Sequence, residues 1–467
     1  MRSFYLVVAL LTLIFVTCQH SVARAIRSYV LSRRSRLRTR DGVLIFAVLL
    51  CANILLAFLS MNSGWAPADS QAQKILAVTF FTYLGVTLAL AIFLVILKTL
   101  YLSLSLALAG YRFLLIIVSG ELGDTPVSGK RETEGRQVTC AGSSPDFGHA
   151  AVLGSDTTHI PDLKRSMGAF SLGCFRSGIR PLACEQTIRR VAVAIILLFV
   201  AGGIYGVMEA YSQPKNEKFE IRDTKLHGLD KPITLIHVTD IHYGMFYNQS
   251  DLKRLVENVN SIEADAVVFT GDIFHSPQTN VESAPAIFRK LRERKFGNLA
   301  VMGNHEYYAG EKRTVKAMEE GGLVILRDEW LTLDSGTARI HIAGLDDPRK
   351  NWLLGQEFPN FARMMENAPK DEGFRILLSH RPTVFPLAAG NGFDLTLAGH
   401  THGGQVIVPW GKSEKGWSPA SIASIYTYGW YVEGQHRMYL NRGAGLTFVP
   451  WRINCYPEIT VFALMPS

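Results

Sequence analysis

The sequence predicts an α/β protein, a two-sheet sandwich flanked by helices and preceded by an N-terminal all-α bundle. Three observations predict it. The first half of the chain carries apolar runs far longer than a strand. From about residue 212 onward, short β-branched runs alternate with helix-like stretches, the pattern of a layered α/β domain. Several of those runs end directly in Asp, His or Asn, which places polar side chains at the C-terminal ends of strands, where an open α/β sheet presents its ligand crevice.

The apolar runs come first in the chain. They occupy 43–61, 75–97, 100–119 and 191–208, each near the roughly 20 residues a helix needs to cross the hydrocarbon core. Arg112 interrupts the third. The run 4–18 is shorter. With Arg2 before it and Ser21-Val22-Ala23 after it, a signal peptide fits, but the spans that follow favour a first membrane helix. Residues 1–119 therefore read as a transmembrane helical bundle, 120–188 as an irregular linker with scattered glycine, 189–211 as the last transmembrane helix, and 212–467 as a catalytic-type soluble domain. The expectation is an integral, multi-pass protein with the lipid bilayer as partner.

The net charge is +8 and the pI 9.1. The cations do not form a nucleic-acid stripe. Arg24, Arg27, Arg33, Arg34, Arg36, Arg38 and Arg40 lie between the first two apolar runs, and Arg189 and Arg190 abut the last. These are membrane-flanking positions, so no nucleic-acid partner is expected. Both clusters prefer the cytoplasm, and whether they share a side depends on whether the Arg112 run crosses. The side of the soluble domain stays open. The six cysteines include no C-x-x-C pair, which excludes a thiolate metal site and a disulfide framework.

Within the soluble domain, strands are expected at 233–238, 266–269, 299–302, 375–378 and 394–397. Helices are expected at 251–261, with Asp251 as N-cap, and at 284–294; 323–333 and 338–343 read as a β pair. Five blocks follow these strands: Asp240-Ile241-His242, Gly271-Asp272, Gly303-Asn304-His305-Glu306, Ser379-His380 and Gly399-His400-Thr401-His402. Carboxylate, imidazole and amide oxygen together form a mixed O/N set suited to divalent metals. One D-x-H or one G-H-x-H is weak. Five blocks in order, each after a strand, are not explained by core histidines and solvated aspartates.

The order D-x-H, G-D, G-N-H, H, G-H-x-H resembles the calcineurin-like metallophosphoesterase superfamily. The longer matches Thr239-Asp240-Ile241-His242-Tyr243-Gly244, GNHEYY from Gly303, GHTHGGQ from Gly399, Asn441-Arg442-Gly443 and Pro457-Glu458-Ile459-Thr460 are similar to its membrane-linked branch. The resemblance covers about residues 218–467. It implies a metallophosphoesterase sandwich and two divalent metal ions, for which Mn, Fe, Zn and Ni are all compatible with the ligand set. By the resemblance, Asp240, His242 and His402 hold one ion, Asn304, His380 and His400 the other, and Asp272 bridges them. His305 would face the leaving group as a catalytic residue, and Glu306, where many relatives have aspartate, would orient it.

The implied activity is metal-dependent hydrolysis of a phosphomonoester, phosphodiester or pyrophosphate substrate; a lipid-linked substrate is expected from the membrane tether alone. The alternatives are a catalytically weak phosphate-binding or regulatory module on a membrane bundle, and a transporting bundle regulated by the domain, for which Arg112 is the sole hint. Other residues carry weaker expectations. His275 reads as a loop residue rather than a ligand, and His237 and His341 as packed or edge residues. Arg442 fits either a phosphate contact or a structural ion pair. Trp410, Trp417, Tyr426, Tyr428, Trp430 and Tyr431 fit either a folded flap with its own small core, or a substrate wall or membrane-interface belt.

Overall fold

In the computed structural model the described residues are 181–467, apart from 245, 349–357 and 411–414, together with scattered positions between Gln71 and Ser103. The expected spans at 4–18 and 43–61, most of those at 75–97 and 100–119, and the linker up to residue 180 lie outside the described residues. The chain divides into two compact units, Phe93–Ala192 and the remainder, and the remainder holds both sheets.

Helix α1 runs Pro181–Ala210, 30 residues, so its first turns fall in the stretch expected to be irregular. Its segment Val193–Ala210 has mean hydropathy 2.1 and, among the described residues, is the one helix long and apolar enough to cross a membrane. Leu197, Leu198, Ile204 and Met208 on it are exposed. The described residues between Gln71 and Ser103 are also helical. Ala77 among them packs with Ala210, Phe246 and Leu446.

The domain that follows contains β1 (Lys215–Asp223), β2 (Ile233–Val238), α2 (Gln249–Ser261), β3 (Ala266–Thr270), α3 (Pro285–Phe288), β4 (Asn298–Val301) and α4 (Asn304–Glu320). It continues through β5 (Val324–Ile325), β6 (Glu329–Ser335), β7 (Ala338–Leu345), α5 (Phe361–Glu366), β8 (Phe374–Ser379), α6 (Phe385–Gly390), β9 (Leu395–Ala398), β10 (Gly429–Glu433), β11 (His436–Leu440) and β12 (Glu458–Pro466). They form two six-stranded sheets, β1-β12-β2-β3-β4-β5 and β10-β11-β9-β8-β7-β6, as the expected two-sheet sandwich requires. In the first, β2, β3, β4 and β5 are parallel neighbours; in the second, β7, β8, β9 and β11 are. Buried on both faces, parallel strands such as Ala266–Thr270 read as continuous apolar runs.

The main core lies between the sheets. Leu235, Val268, Leu299 and Val301 of the first meet Ile340, Ile342, Phe374, Ile376, Leu395 and Leu397 of the second, all buried. Each such side chain contributes about 1.5–3 kcal/mol. A second core packs α2, α3 and α4 on the outer face of the first sheet through Leu252, Leu255, Val256, Phe288 and Met318.

Three element expectations need correction. The cap of α2 is Asn248, whose Oδ1 accepts from Ser250 N and Asp251 N; Asp251 is the third helical residue and accepts from Asn248 N at 2.8 Å, a reciprocal capping box. The helix expected at 284–294 is only α3. After Phe288 the bonds tighten to Lys290 N→Ile287 O and Leu291 N→Phe288 O, and the helix-like spacing of Ile287, Phe288 and Leu291 serves packing into the core. The stretch 323–333 splits between the two sheets as β5 and β6. Asp328 breaks it with φ 60°, held there because its Oδ1 accepts from Asp346 N and its Oδ2 from Arg363.

Candidate metal centre

The C-terminal ends of β2, β3 and β4 from one sheet and of β8 and β9 from the other converge. Asp240 and His242 follow β2, Asp272 follows β3, Asn304 opens α4 after β4, His380 follows β8, and His400 and His402 follow β9. Backbone bonds hold neighbouring loops in register: Asp240 N donates to Gly271 O at 3.1 Å and His242 N to Asp272 O at 2.9 Å. His400 N donates to Asp240 Oδ2 at 2.8 Å, which ties the two sheets together at the site.

These loops are conformationally costly. Asp240, His242, Asp272, His400 and His402 all take positive φ, between 48° and 77°. Left-handed backbone costs a residue with a Cβ roughly 1–2 kcal/mol, and such strain persists only where the surroundings impose it. Close approach explains two of the glycines. A Cβ on Gly303 would lie 2.3 Å from Asp272 Oδ1, and one on Gly399 would lie 2.2 Å from Asp240 Oδ2. Each glycine lets one loop press against the carboxylate of another.

Among the described residues His242, His275 and His305 form one cluster of donor atoms, and two further groups hold the predicted Asp and His ligands. In one, His242 Nε2 and His402 Nε2 lie 2.9 Å apart, and His402 Nε2 is 3.4 Å from Asp240 Oδ1. In the other, His400 Nδ1 lies 2.9 Å from His380 Nε2. Asp272 Oδ2 touches both, 3.5 Å from His242 Nε2 and 3.2 Å from His380 Nε2. Asp240–His242–His402 and Asp272–His380–His400 each have one donor atom per residue within a sphere that could hold a cation. Asn304 supplies an independent check: its side-chain Oδ1 is buried and accepts no hydrogen bond. Buried acceptors are seldom left unpaired, and an amide oxygen beside carboxylates and imidazoles suits a divalent ion. The residues fit the implied metals.

Burial pushes the imidazoles of His242, His400 and His402 well below their ordinary pKa, so they stay neutral with a lone pair to donate. Burial works against ionisation of Asp272, but His380, His305 and His242 outweigh it and hold the carboxyl well below the usual range. Burial pushes Asp240 up to about 6, against the pull of His380 and with the charge of Asp272 adding to the rise.

A family model for calcineurin-like phosphoesterases matches residues 233–404. The uncharacterized metallophosphoesterase YkuE of Bacillus subtilis is 32% identical over 275 residues, which cover 56% of this chain and 91% of that relative. This chain belongs to the calcineurin-like phosphoesterase family. It is a metal-dependent hydrolase of phosphoric esters. The phosphoesterase is also similar to the transmembrane protein with metallophosphoesterase domain of Danio rerio, 28% identical over 301 residues, 60% of this chain and 63% of the relative. Among solved structures, a 5'-nucleotidase precursor from Thermus thermophilus aligns at 15% identity with a TM-score of 0.33. That alignment covers 50% of this chain and about half, 54%, of the other.

The phosphoesterase gathers six of the seven sequence-predicted ligand residues into those two groups, with Asn304 between Gly303 and His305 on a turn that approaches Asp272, but it gives Glu306 another task. Both Glu306 oxygens are taken by buried backbone amides: Oε2 accepts from Gly303 N at 2.7 Å and Asp272 N at 2.8 Å, and Oε1 from Phe274 N at 3.0 Å. It therefore shapes the turns that carry Asp272 and Asn304 and does not orient the His305 ring. The backbone of His275 does that, since its carbonyl accepts from His305 Nδ1. Reading His275 as a plain loop residue missed this. Its ring stacks on His305 at 5.4 Å, and its Nδ1 lies 3.3 Å from His242 Nδ1. The signal available was its place three residues after Asp272 on a strand-end loop.

His237 and His341 are packed, as expected. His237 Nε2 meets Thr270 Oγ1 at 2.8 Å, and His341 lies between Thr332 and Asp371. Arg442 makes the structural ion pair, with buried Glu458, and lies over the rings of Tyr428 and Tyr456. The aromatic segment divides. Trp430 packs against the inter-sheet core, and Tyr426 and Tyr431 against a smaller one, whereas Trp410 is 78% exposed.

Proposed function

We propose that this phosphoesterase is a membrane-anchored binuclear enzyme that hydrolyses phosphomonoester, phosphodiester or pyrophosphate bonds. Lipid-linked phosphates are the substrate class its anchor favours, with α1 and the apolar runs before it as a multi-pass anchor. One observation carries the two-ion reading: a single oxygen, Asp272 Oδ2, faces His242 from one donor group and His380 from the other. Two divalent ions, when bound, supply Lewis acidity to a phosphoryl group and a water acidic enough to attack it near neutral pH.

The chain's own residues do the rest. Asp240, His242 and His402 would hold one ion, Asn304, His380 and His400 the other, and Asp272 would serve both. The amide of His305 donates to Asp272 Oδ1 at 2.9 Å, so the start of α4 holds the shared carboxylate in place. The His305 side chain is only partly buried and faces the same cluster. Only an N–H can pair with the His275 carbonyl, so Nδ1 carries a proton and any second proton resides on Nε2. That is the arrangement of a general acid for a departing oxygen.

The test is turnover by the full-length chain in lipid nanodiscs. After stripping and reloading with Mn, Zn, Fe or Ni, it is assayed on soluble phosphomonoester, phosphodiester and pyrophosphate substrates and on phospholipid esters in the same discs. Metal-dependent turnover of at least one class, with preference for the lipid ester, is expected. Phosphate binding without turnover under every metal would favour the non-catalytic module.

A further inference from the structure

Ten large apolar side chains of the described residues after Tyr211 are exposed, and six of them, Val408, Trp410, Trp417, Ile422, Ile425 and Phe448, lie in two neighbouring loops. The four most exposed all belong to this set: Trp410 at 78%, Ile422 at 80%, Ile425 at 83% and Phe448 at 77%. The loops form one body. Val408 pairs with Trp417, Ile407 N donates to Ile453 O, and the Gln405 side chain bonds the backbone of Thr447, Val449 and Trp451. Scattered exposed apolar residues need no explanation, but a concentrated set marks a contact surface.

What covers it follows from where it is attached. The loop that carries Phe448 continues into Trp451 and Arg452, and Arg452 N donates to Gly206 O of α1 at 2.9 Å. Trp451 leaves no room for a Cβ at Gly206, nor at Gly85 in another apolar run. Gly206 lies four residues before the end of the apolar segment at Ala210, about 6 Å along the helix at 1.5 Å per residue. Interfacial elements bury their apolar faces about 5–10 Å into the headgroup boundary, so a loop docked at this level reaches that boundary. Tryptophan belongs there.

We propose that Val408, Trp410, Trp417, Ile422, Ile425 and Phe448 form a bilayer-docking face that seats the domain on the lipid surface beside α1. This rests on the placement of α1 in the membrane and not on the metal chemistry. The consequence for the site is direct. The flap starts three residues after His402, and Thr401 Oγ1 donates to Thr427 O beyond it, so a seated flap holds the ligand loop against the bilayer.

The experiment uses the full-length chain in nanodiscs with an environment-sensitive fluorescent amino acid at Ile425, at Phe448 or, as control, at exposed Val324 on β5. Quenching by phospholipids brominated on their acyl chains is read. About a twofold loss of emission at Ile425 and Phe448, with almost none at Val324, is expected for an interfacial depth. In a second arm, Trp410→Phe with Trp417→Phe should lower the quenching of intrinsic tryptophan emission by the same lipids. Quenching at Ile425 and Phe448 no greater than at Val324 overturns the proposal. So does emission that shifts blue with protein concentration but is untouched by brominated lipid, which would place a second copy of the chain on this face. Neither readout depends on turnover, so failure of the phosphoesterase reading would leave it intact.

Discussion

Replacing Glu306 by alanine removes the acceptor for three buried amides at once, those of Asp272, Gly303 and Phe274. An unsatisfied buried donor costs about 1–3 kcal/mol, so the loss is at least about 3 kcal/mol out of a typical total of about 5–15 kcal/mol. For a domain of this size each kcal/mol moves the melting temperature by roughly 2–4 °C, which gives a drop of about 6–12 °C. Glu306→Gln keeps one acceptor oxygen but turns an NH2 toward a backbone N–H. It should fall between the parent and alanine. The assay is thermal unfolding of the metal-free protein in detergent, paired with metal content after reloading. Both should fall for Glu306→Ala, because the turns carrying Asp272 and Asn304 lose their common anchor. An unchanged melting temperature with lost turnover would instead make Glu306 the residue that orients His305.

Replacing His305 by alanine should lower turnover about 10²–10⁴-fold for substrates with poor leaving groups, less for good ones, with metal content unchanged; equal loss across leaving groups would contradict the acid role. Replacing Gly399 by alanine should displace Asp240, whose Oδ2 would lie 2.2 Å from the new Cβ, and lower metal content more than it lowers stability. Acid stability should report His237. Burial lowers its pKa to about 3, so the folded state holds it neutral while the unfolded chain binds a proton below about 6.5. Its contribution is full above that value and lost as pH falls, about 2 kcal/mol between pH 7 and pH 5. His237→Gln should flatten unfolding free energy against pH by that amount, and an unchanged slope would show that His237 does not carry the linkage.

The strands that bear ligands were legible because they are buried on both faces. Ile233–Val238 was read at its full extent, and Ala266–Thr270 and Phe374–Ser379 within a residue at each end. The ligands were legible because each closes such a run, a local fact that needs no knowledge of what lies opposite. What escaped depends on partners far along the chain. Asp328 breaks a strand-like run because Asp346 and Arg363 hold it. Glu306 is drawn to Asp272 and Phe274, more than thirty positions away. His275 enters the site only because its loop folds over His305. Strand β1, KNEKFEIRD, is a mostly exposed edge strand paired only with β12, so it carries little apolar signal.

Metal stoichiometry decides whether two ions share Asp272. The reloaded parent should hold about two divalent ions per chain by elemental analysis, in keeping with a two-metal site. Asp272→Asn should lose ions from both positions together and turnover with them, because Oδ2 lies within 3.5 Å of His242 and 3.2 Å of His380. A variant that keeps two ions per chain and near-parental turnover would contradict the account.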